Sequence, residues 1–235
     1  GMEADLLVDG FTKRGPALGL DIRAEGEDYR GEFKAYGLYD TGGIVRTSAG
    51  VSVDIEESFR GEVEGSYSVA LSNNLTLRAE LAWMSDPTWA SAWRIEDFDS
   101  RLEYMSGISL DYRSKNTELT LSTNYTLMPF VSNNYKMASR PYYVDKAPEL
   151  AYRRYADSLF GDSVSWTSEY SATYMRIKVT DGTPNELGVP NAAFATTNPD
   201  ESIHDLYYGK AGYNSDFVTR FDTRQELSLP LDYGA

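Results

Sequence analysis

Apolar and polar residues alternate with period two along most of this chain. From Leu75 to Trp83 the apolar set is Leu75, Leu77, Ala79, Leu81 and Trp83, interleaved with Thr76, Arg78, Glu80 and Ala82. Leu102, Tyr104, Ile108, Leu110 and Tyr112 alternate with Glu103, Ser109, Asp111 and Arg113, and Leu119, Leu121, Tyr125 and Leu127 with Glu118, Thr120, Ser122 and Asn124. Shorter runs occur at Leu18–Ala24, Phe33–Tyr39, Val51–Ile55 and Val63–Leu71, and the pattern returns at Val164–Tyr174 and Phe217–Leu231. In the last run the polar parity is nearly all charged: Asp216, Arg220, Asp222, Arg224 and Glu226. Side chains of a strand point alternately to its two faces, so these runs predict strands with one apolar and one polar face. Several run to about 9–15 residues, against about 5 or 6 for an ordinary strand.

Short turn formers join them: Gly26-Glu27-Asp28, Ser72-Asn73-Asn74, Ser114-Lys115-Asn116 and Asp40-Thr41-Gly42-Gly43. Asn and Gly supply the positive φ of tight hairpins, which predicts an antiparallel meander of about 10 to 12 strands. Three connections are longer. Asp86 to Trp93 predicts a turn or two of helix, with Ser85 or Asp86 as cap and Pro87 at its first position. Residues 129–146, broken by Pro129 and Pro141, and 181–207, rich in Pro, Asn, Thr and Asp, predict long loops. No linker divides residues 1–235, so one β segment is expected.

Composition narrows the chemistry. The 235 residues contain no cysteine and one histidine, which excludes disulfides, thiolate catalysis, histidine triads and Cys- or two-His metal sites. A formal charge of -14, from 36 acidic and 22 basic residues, argues against a nucleic-acid partner. No apolar run is long enough for a transmembrane helix. Gly1-Met2 reads as a cloning remnant before a sequence that starts in mid-domain, so a fragment is expected, and the lack of a signal peptide says nothing about export.

An apolar strand face needs a partner. A soluble sandwich or small barrel buries it in a core, whereas a transmembrane barrel sets it against lipid and turns the charged face to a wet lumen. Periodicity alone does not separate these. Strand length favours the second, because a tilted strand needs about 9–11 residues to cross a bilayer. Tyr67, Trp83, Tyr104, Tyr112, Tyr125, Trp166 and Tyr174, near strand ends, suit aromatic girdles, although sheet-core aromatics would give the same pattern.

Several segments add a resemblance. Thr12-Lys13-Arg14-Gly15-Pro16-Ala17-Leu18-Gly19-Leu20 and Gly31-Glu32-Phe33-Lys34-Ala35-Tyr36-Gly37-Leu38-Tyr39-Asp40 with Gly42 come first. Arg60-Gly61 and Ala79-Glu80-Leu81-Ala82-Trp83-Met84-Ser85-Asp86-Pro87 follow. Ala147-Pro148-Glu149-Leu150, Gly161-Asp162-Ser163-Val164-Ser165-Trp166 and Arg220-Phe221-Asp222-Thr223-Arg224-Gln225-Glu226-Leu227-Ser228-Leu229-Pro230 complete the series. Together they resemble, in order, the amino-terminal part of the outer-membrane barrel of Gram-negative lipopolysaccharide-assembly proteins of the LptD (OstA, organic solvent tolerance) type. The resemblance implies transport of lipopolysaccharide to the outer leaflet by a barrel of about 26 strands, with a plug lipoprotein and periplasmic bridge proteins as partners. It also implies an outer-membrane location, no enzyme activity and no cofactor. The family's jelly roll and its cysteines are unmatched, and more barrel would follow the carboxyl end, so a lateral gate cannot be complete in this chain. The alternative is a non-enzymatic soluble or cell-envelope β-sheet module.

Lys13, Arg14 and Pro16 are the sharpest local feature. By the resemblance they lie in the gate region, with Lys13 and Arg14 placed for lipid phosphates; proline lacks the N–H of a ladder bond and would loosen the pairing there. An ordinary turn is the plainer reading. Arg78, Glu80, Asp111, Arg220, Asp222, Arg224 and Glu226 mark a solvated or lumenal charged face. Paired carboxylates of a glycosidase would look the same, since residues two apart on any charged strand give that spacing. No metal site is expected: Asp181, Asp200, Glu201 and Asp205 of the long loop lack a calcium-loop spacing and read as a solvated extracellular loop, with His204 beside Asp205.

Overall fold

The computed structural model describes residues 1–47, 49–96, 104–128, 142–161, 163–210, 212 and 214–229. Among them are twelve strands, ten of which form one antiparallel sheet. These are β1 (Met2–Phe11), β2 (Gly15–Glu25), β3 (Tyr29–Asp40), β6 (Ser58–Ser72), β7 (Leu75–Met84), β8 (Ser106–Ser114), β9 (Thr117–Tyr125), β10 (Tyr142–Leu159), β11 (Val164–Val179) and β12 (Val218–Ser228), side by side in that order. Between β3 and β6, β4 (Gly43–Arg46) and β5 (Ser52–Ile55) make a separate two-stranded sheet. The meander follows from the turns: at residues 26–28, 73–74, 115–116 and 160–163 the chain reverses within a few residues, and each strand pairs with its predecessor. The sheet is open, with β1 and β12 as its edges.

The four tight turns just named lie at one end of the sheet. At the other end are the long connections, 41–57, 85–105, 126–141 and 180–217, together with the short β1–β2 turn. Here described residues of these connections pack on the polar face. Trp89 and Ala90 of α1 (Trp89–Trp93), Leu187 of α2 (Pro184–Leu187), Val189, Phe194 and Ile203 are buried against Ala17, Leu38, Ala82 and Met84, which carry the polar parity at the strand ends. This cluster is the apolar core of the described residues, and it holds one end of the sheet only.

Five expectations need correction. Val51–Ile55, expected in the meander after a short turn at Asp40–Gly43, instead lies in the separate β4–β5 sheet, inside the long 41–57 connection. β10 begins at Tyr142, inside the predicted loop 129–146, whose residues 129–141 lie outside those described. Its alternation is broken by register shifts between Lys146 and Glu149 and between Arg154 and Asp157, each of which moves side chains to the opposite face. The 181–207 segment is not simply solvated: a Thr183–Glu186 capping box starts α2, and four of its apolar side chains enter the core. Tyr104 is buried in that core ahead of β8 instead of standing at a strand end; Leu102 and Glu103 lie outside the described residues. Helix α1 starts at Trp89 with Thr88 before it, later than expected, although Asp86 still accepts the Thr88 amide at 3.0 Å in the manner of a cap and also holds Arg60 and the Thr88 hydroxyl.

Candidate functional site

Cross-strand register divides the sheet into two faces of opposite chemistry. Starting from Met2, Leu6 and Val8 on β1, the pairing places Leu18, Leu20 and Ile22, then Phe33 and Tyr39, then Phe59, Val63 and Tyr67 on one face. It continues through Leu77, Leu81 and Trp83, Ile108, Leu110 and Tyr112, Leu119, Leu121 and Tyr125, Leu150 and Tyr152, Tyr170 and Ala172, to Phe221 and Leu227 on β12. The large side chains of this face are uncovered from edge to edge: Leu6 is 73% exposed, Phe33 37%, Leu121 47% and Phe221 77%. A soluble monomer seldom shows an apolar patch of more than a few hundred Å², and this one spans ten strands. Over Gly37 and Gly61 the surface dips into a trough of about 500 Å³ walled by Leu18, Phe59, Val63 and Trp83. Gly61 is required there, since a Cβ on it would lie 2.5 Å from the Tyr36 carbonyl oxygen.

The opposite face carries the charges. Arg78, Glu80, Asp111, Arg220, Asp222, Arg224 and Glu226 all have this parity. Arg78 donates to Asp111 at 2.5 Å, Asp111 also accepts from Ser109 and Thr120, and Arg220–Asp222 and Arg224–Glu226 pair along β12. Glu118 gathers Arg113, Arg153 and the Tyr155 hydroxyl. These are cross-strand and same-strand ion pairs in which the Asp111 and Glu118 carboxylates are buried while their arginine partners, and both members of the β12 pairs, are exposed. Glu80 lies over a shallow pocket with Glu32, Lys34, Glu64 and Ser66. Among the described residues no three His, Cys, Asp or Glu side chains gather as a metal would require.

At the loop end the polar face becomes a buried network that residue-by-residue reading of the sequence did not assemble. Arg60, 2% exposed, reaches Asp86 through Nε at 2.9 Å and Nη2 at 2.8 Å, Asp40 through Nη1 at 2.9 Å and the Thr88 hydroxyl at 2.9 Å. Its guanidinium stands 5.8 Å from the Trp89 ring centroid. Trp89 donates its indole N–H to Glu62 at 2.8 Å, and Arg94 reaches the same carboxylate while lying over Tyr36. Burial pushes the Asp86 carboxyl up, but the hydrogen bonds and charge of Arg60, aided by Thr88 and Ser85, hold it below the usual carboxylate range. The arrangement clamps α1 onto β3 and β6. Its sequence signal was present, in the Arg60-Gly61 and Ser85-Asp86 steps, but their meeting across 26 positions is a tertiary fact.

The gate candidates separate. Pro16 sits in β2 opposite Gly10, and Lys13 is exposed in the turn. Arg14 turns inward, donating to the Asp40 carboxylate at 3.1 Å and to the carbonyls of Gly42 and Ile44 at 2.9 and 3.2 Å. Three hydrogen bonds hold its guanidinium to the protein, whereas the Lys13 side chain lies exposed in the turn. His204 pairs with Asp205 and lies against Tyr208. No protein-family model and no curated protein matches the chain.

Proposed function

We propose that this chain is a non-enzymatic structural module of the cell envelope, a section of sheet wall with hydrocarbon on its apolar face and water on its charged face. The observation that carries this is the uncovered apolar face running through all ten strands. A sandwich would need a second layer against that face, whereas described residues of the long connections pack on the opposite one. Aromatic residues also stand toward strand ends on this face, with Phe33 and Tyr170 between them. Tyr29 and Tyr39 stand at opposite ends of β3, and Trp166 and Tyr174 lie apart along β11. At about 3.3 Å per residue and a tilt near 40°, the β3 pair would bracket about 25 Å of bilayer.

The narrower reading is a wall of the lipopolysaccharide-transporting outer-membrane barrel that the sequence resembles. Long connections at one end and tight turns at the other agree with it, because outer-membrane barrels keep their long loops outside. In that orientation Asp181 to Tyr207 faces the medium. A soluble sheet module that binds a partner is the second reading, favoured by the two unpaired edges.

Paired arginine substitutions distinguish wall from soluble module. Leu121 and Thr120 are neighbours on opposite faces of β9. In a wall, Leu121→Arg lowers folding into phosphatidylcholine vesicles by about 2–4 kcal/mol, while Thr120→Arg stays near neutral. Equal, near-neutral effects, with a protein that remains monodisperse without any amphiphile, would rule out the wall. Cargo is tested separately, by photocrosslinking from positions 13 and 18 in vesicles containing lipopolysaccharide. Adducts are expected; normal insertion without adducts at either position removes the cargo and leaves the wall.

A further inference from the structure

The two edges of the sheet differ in charge, and the difference specifies a partner for one of them. β12 neutralises itself: Arg220 pairs with Asp222 at 2.7 Å and Arg224 with Glu226 at 3.1 Å. β1 has no Lys or Arg, and its polar parity holds Glu3, Asp5 and Asp9. Across the ladder Asp5 stands directly opposite Asp21, a like-charge pair that destabilises a sheet. Arg23 donates to Asp21 Oδ2 at 3.2 Å, while Oδ1 of Asp21 is enclosed without a hydrogen-bond partner. Asp21 has Lys34 opposite it on β3, but Asp5, at the edge, has no basic residue opposite it. Asp9 accepts only the neutral Tyr36 hydroxyl, at 2.8 Å. Every second residue of β1 also directs its N–H and C=O away from β2, along a strand of ten residues with no bulge in its pairing.

Taking the wall as the framework, we infer that the free edge of β1 is completed by an antiparallel strand carrying Lys or Arg at the positions facing Asp5 and Asp9. Its alternate positions are apolar, flush with Met2, Ala4, Leu6 and Val8. Such a strand satisfies the outward backbone groups, relieves the Asp5–Asp21 repulsion and extends the hydrocarbon-facing surface without a break. β12 has no comparable preference, since its charges are already paired.

The test uses the whole chain in dodecylphosphocholine micelles, with peptides of alternating valine and lysine or valine and glutamate that carry a photocrosslinker. Two cross-strand opposite-charge pairs correspond to about a fivefold to tenfold preference for the lysine peptide. Crosslinks should map to β1, and alternate N-methylation of the peptide backbone should abolish binding. The double variant Asp5→Asn, Asp9→Asn should bring the two peptides within about twofold of each other, with Trp89 still buried as evidence of an intact fold. Equal affinities in the unaltered protein, no binding of either peptide, crosslinks confined to β12, or binding that survives N-methylation would each overturn the inference. Normal vesicle insertion with no lysine preference sinks this inference alone; failed insertion sinks the wall itself.

Discussion

Replacing Arg60 by alanine tests whether the buried network clamps the loop end to the sheet. The side chain is 2% exposed and makes four hydrogen bonds, to Asp86, Asp40 and Thr88. Its removal leaves Asp40, fully buried, with Arg14 and the Gly42 amide, and leaves Asp86 with Ser85 and Thr88 alone. Breaking a buried pair from one side costs about 3–5 kcal/mol, and the lower end applies here because Asp86 is partly exposed and rehydrates. The loss should fall on α1 and its neighbours, since strand pairing elsewhere does not involve Arg60. Amide exchange at Ala92 and Arg94, which close the turns of α1 onto Thr88 and Ala90, should accelerate about a hundredfold or more. In a protein whose other three tryptophans are phenylalanine, Trp89 emission should shift to the red as its ring leaves the core. Asp86→Asn should do most of the same damage, and the double variant little more, because one interaction is removed twice. Unchanged exchange at Ala92 and Arg94 together with unshifted Trp89 emission would show that apolar packing, not the ion network, holds the helix.

The same network gives a pH dependence. The folded Asp86 carboxyl lies below its unfolded value near 3.9, so its contribution is complete above that value and is lost as pH falls through the folded value. Trp89 emission should therefore hold through neutral pH and shift at strongly acid pH, and Arg60→Ala should already be shifted at neutrality. Gly107→Ala places a Cβ 2.1 Å from the Thr123 carbonyl oxygen and 2.7 Å from Asn124 Oδ1, so the loop end of the β8–β9 ladder should open, read as faster amide exchange there with β1–β2 protection unchanged. Arg14→Gln should loosen the Asp40–Ile44 segment by about 1–3 kcal/mol through lost charge-assisted bonds, whereas Lys13→Gln should leave stability unchanged; equal stability effects would contradict the inward placement of Arg14.

The amino-acid sequence by itself determined which residues share a face. Alternation is a property of a single strand, so Leu75–Trp83, the charged parity around Arg220–Glu226 and the turns at Asn73-Asn74 and Lys115-Asn116 were legible without a partner. Three strands escaped: β4 has only four residues and begins in what reads as a turn, and β1 and β10 escaped for local reasons. β1 mixes Leu6, Leu7 and Val8 into one apolar run, and β10 changes parity at two register shifts, so neither keeps period two for its whole length. Everything that depended on residues far apart in the chain was decided by the tertiary structure. Arg14 reads as a free cation until Asp40, Gly42 and Ile44 surround it, and the 181–207 segment reads as solvated until Leu187, Val189, Phe194 and Ile203 meet the strand ends. Arg60 and Asp86 are unremarkable as neighbours of glycine and proline; they become a clamp because β3, β6 and β7 deliver them to one end of the sheet. The physical reason is range. Side-chain direction is set by backbone geometry within a few residues, whereas the partner of a buried charge is set by which strand lies alongside, and that is fixed only when the ladder has formed.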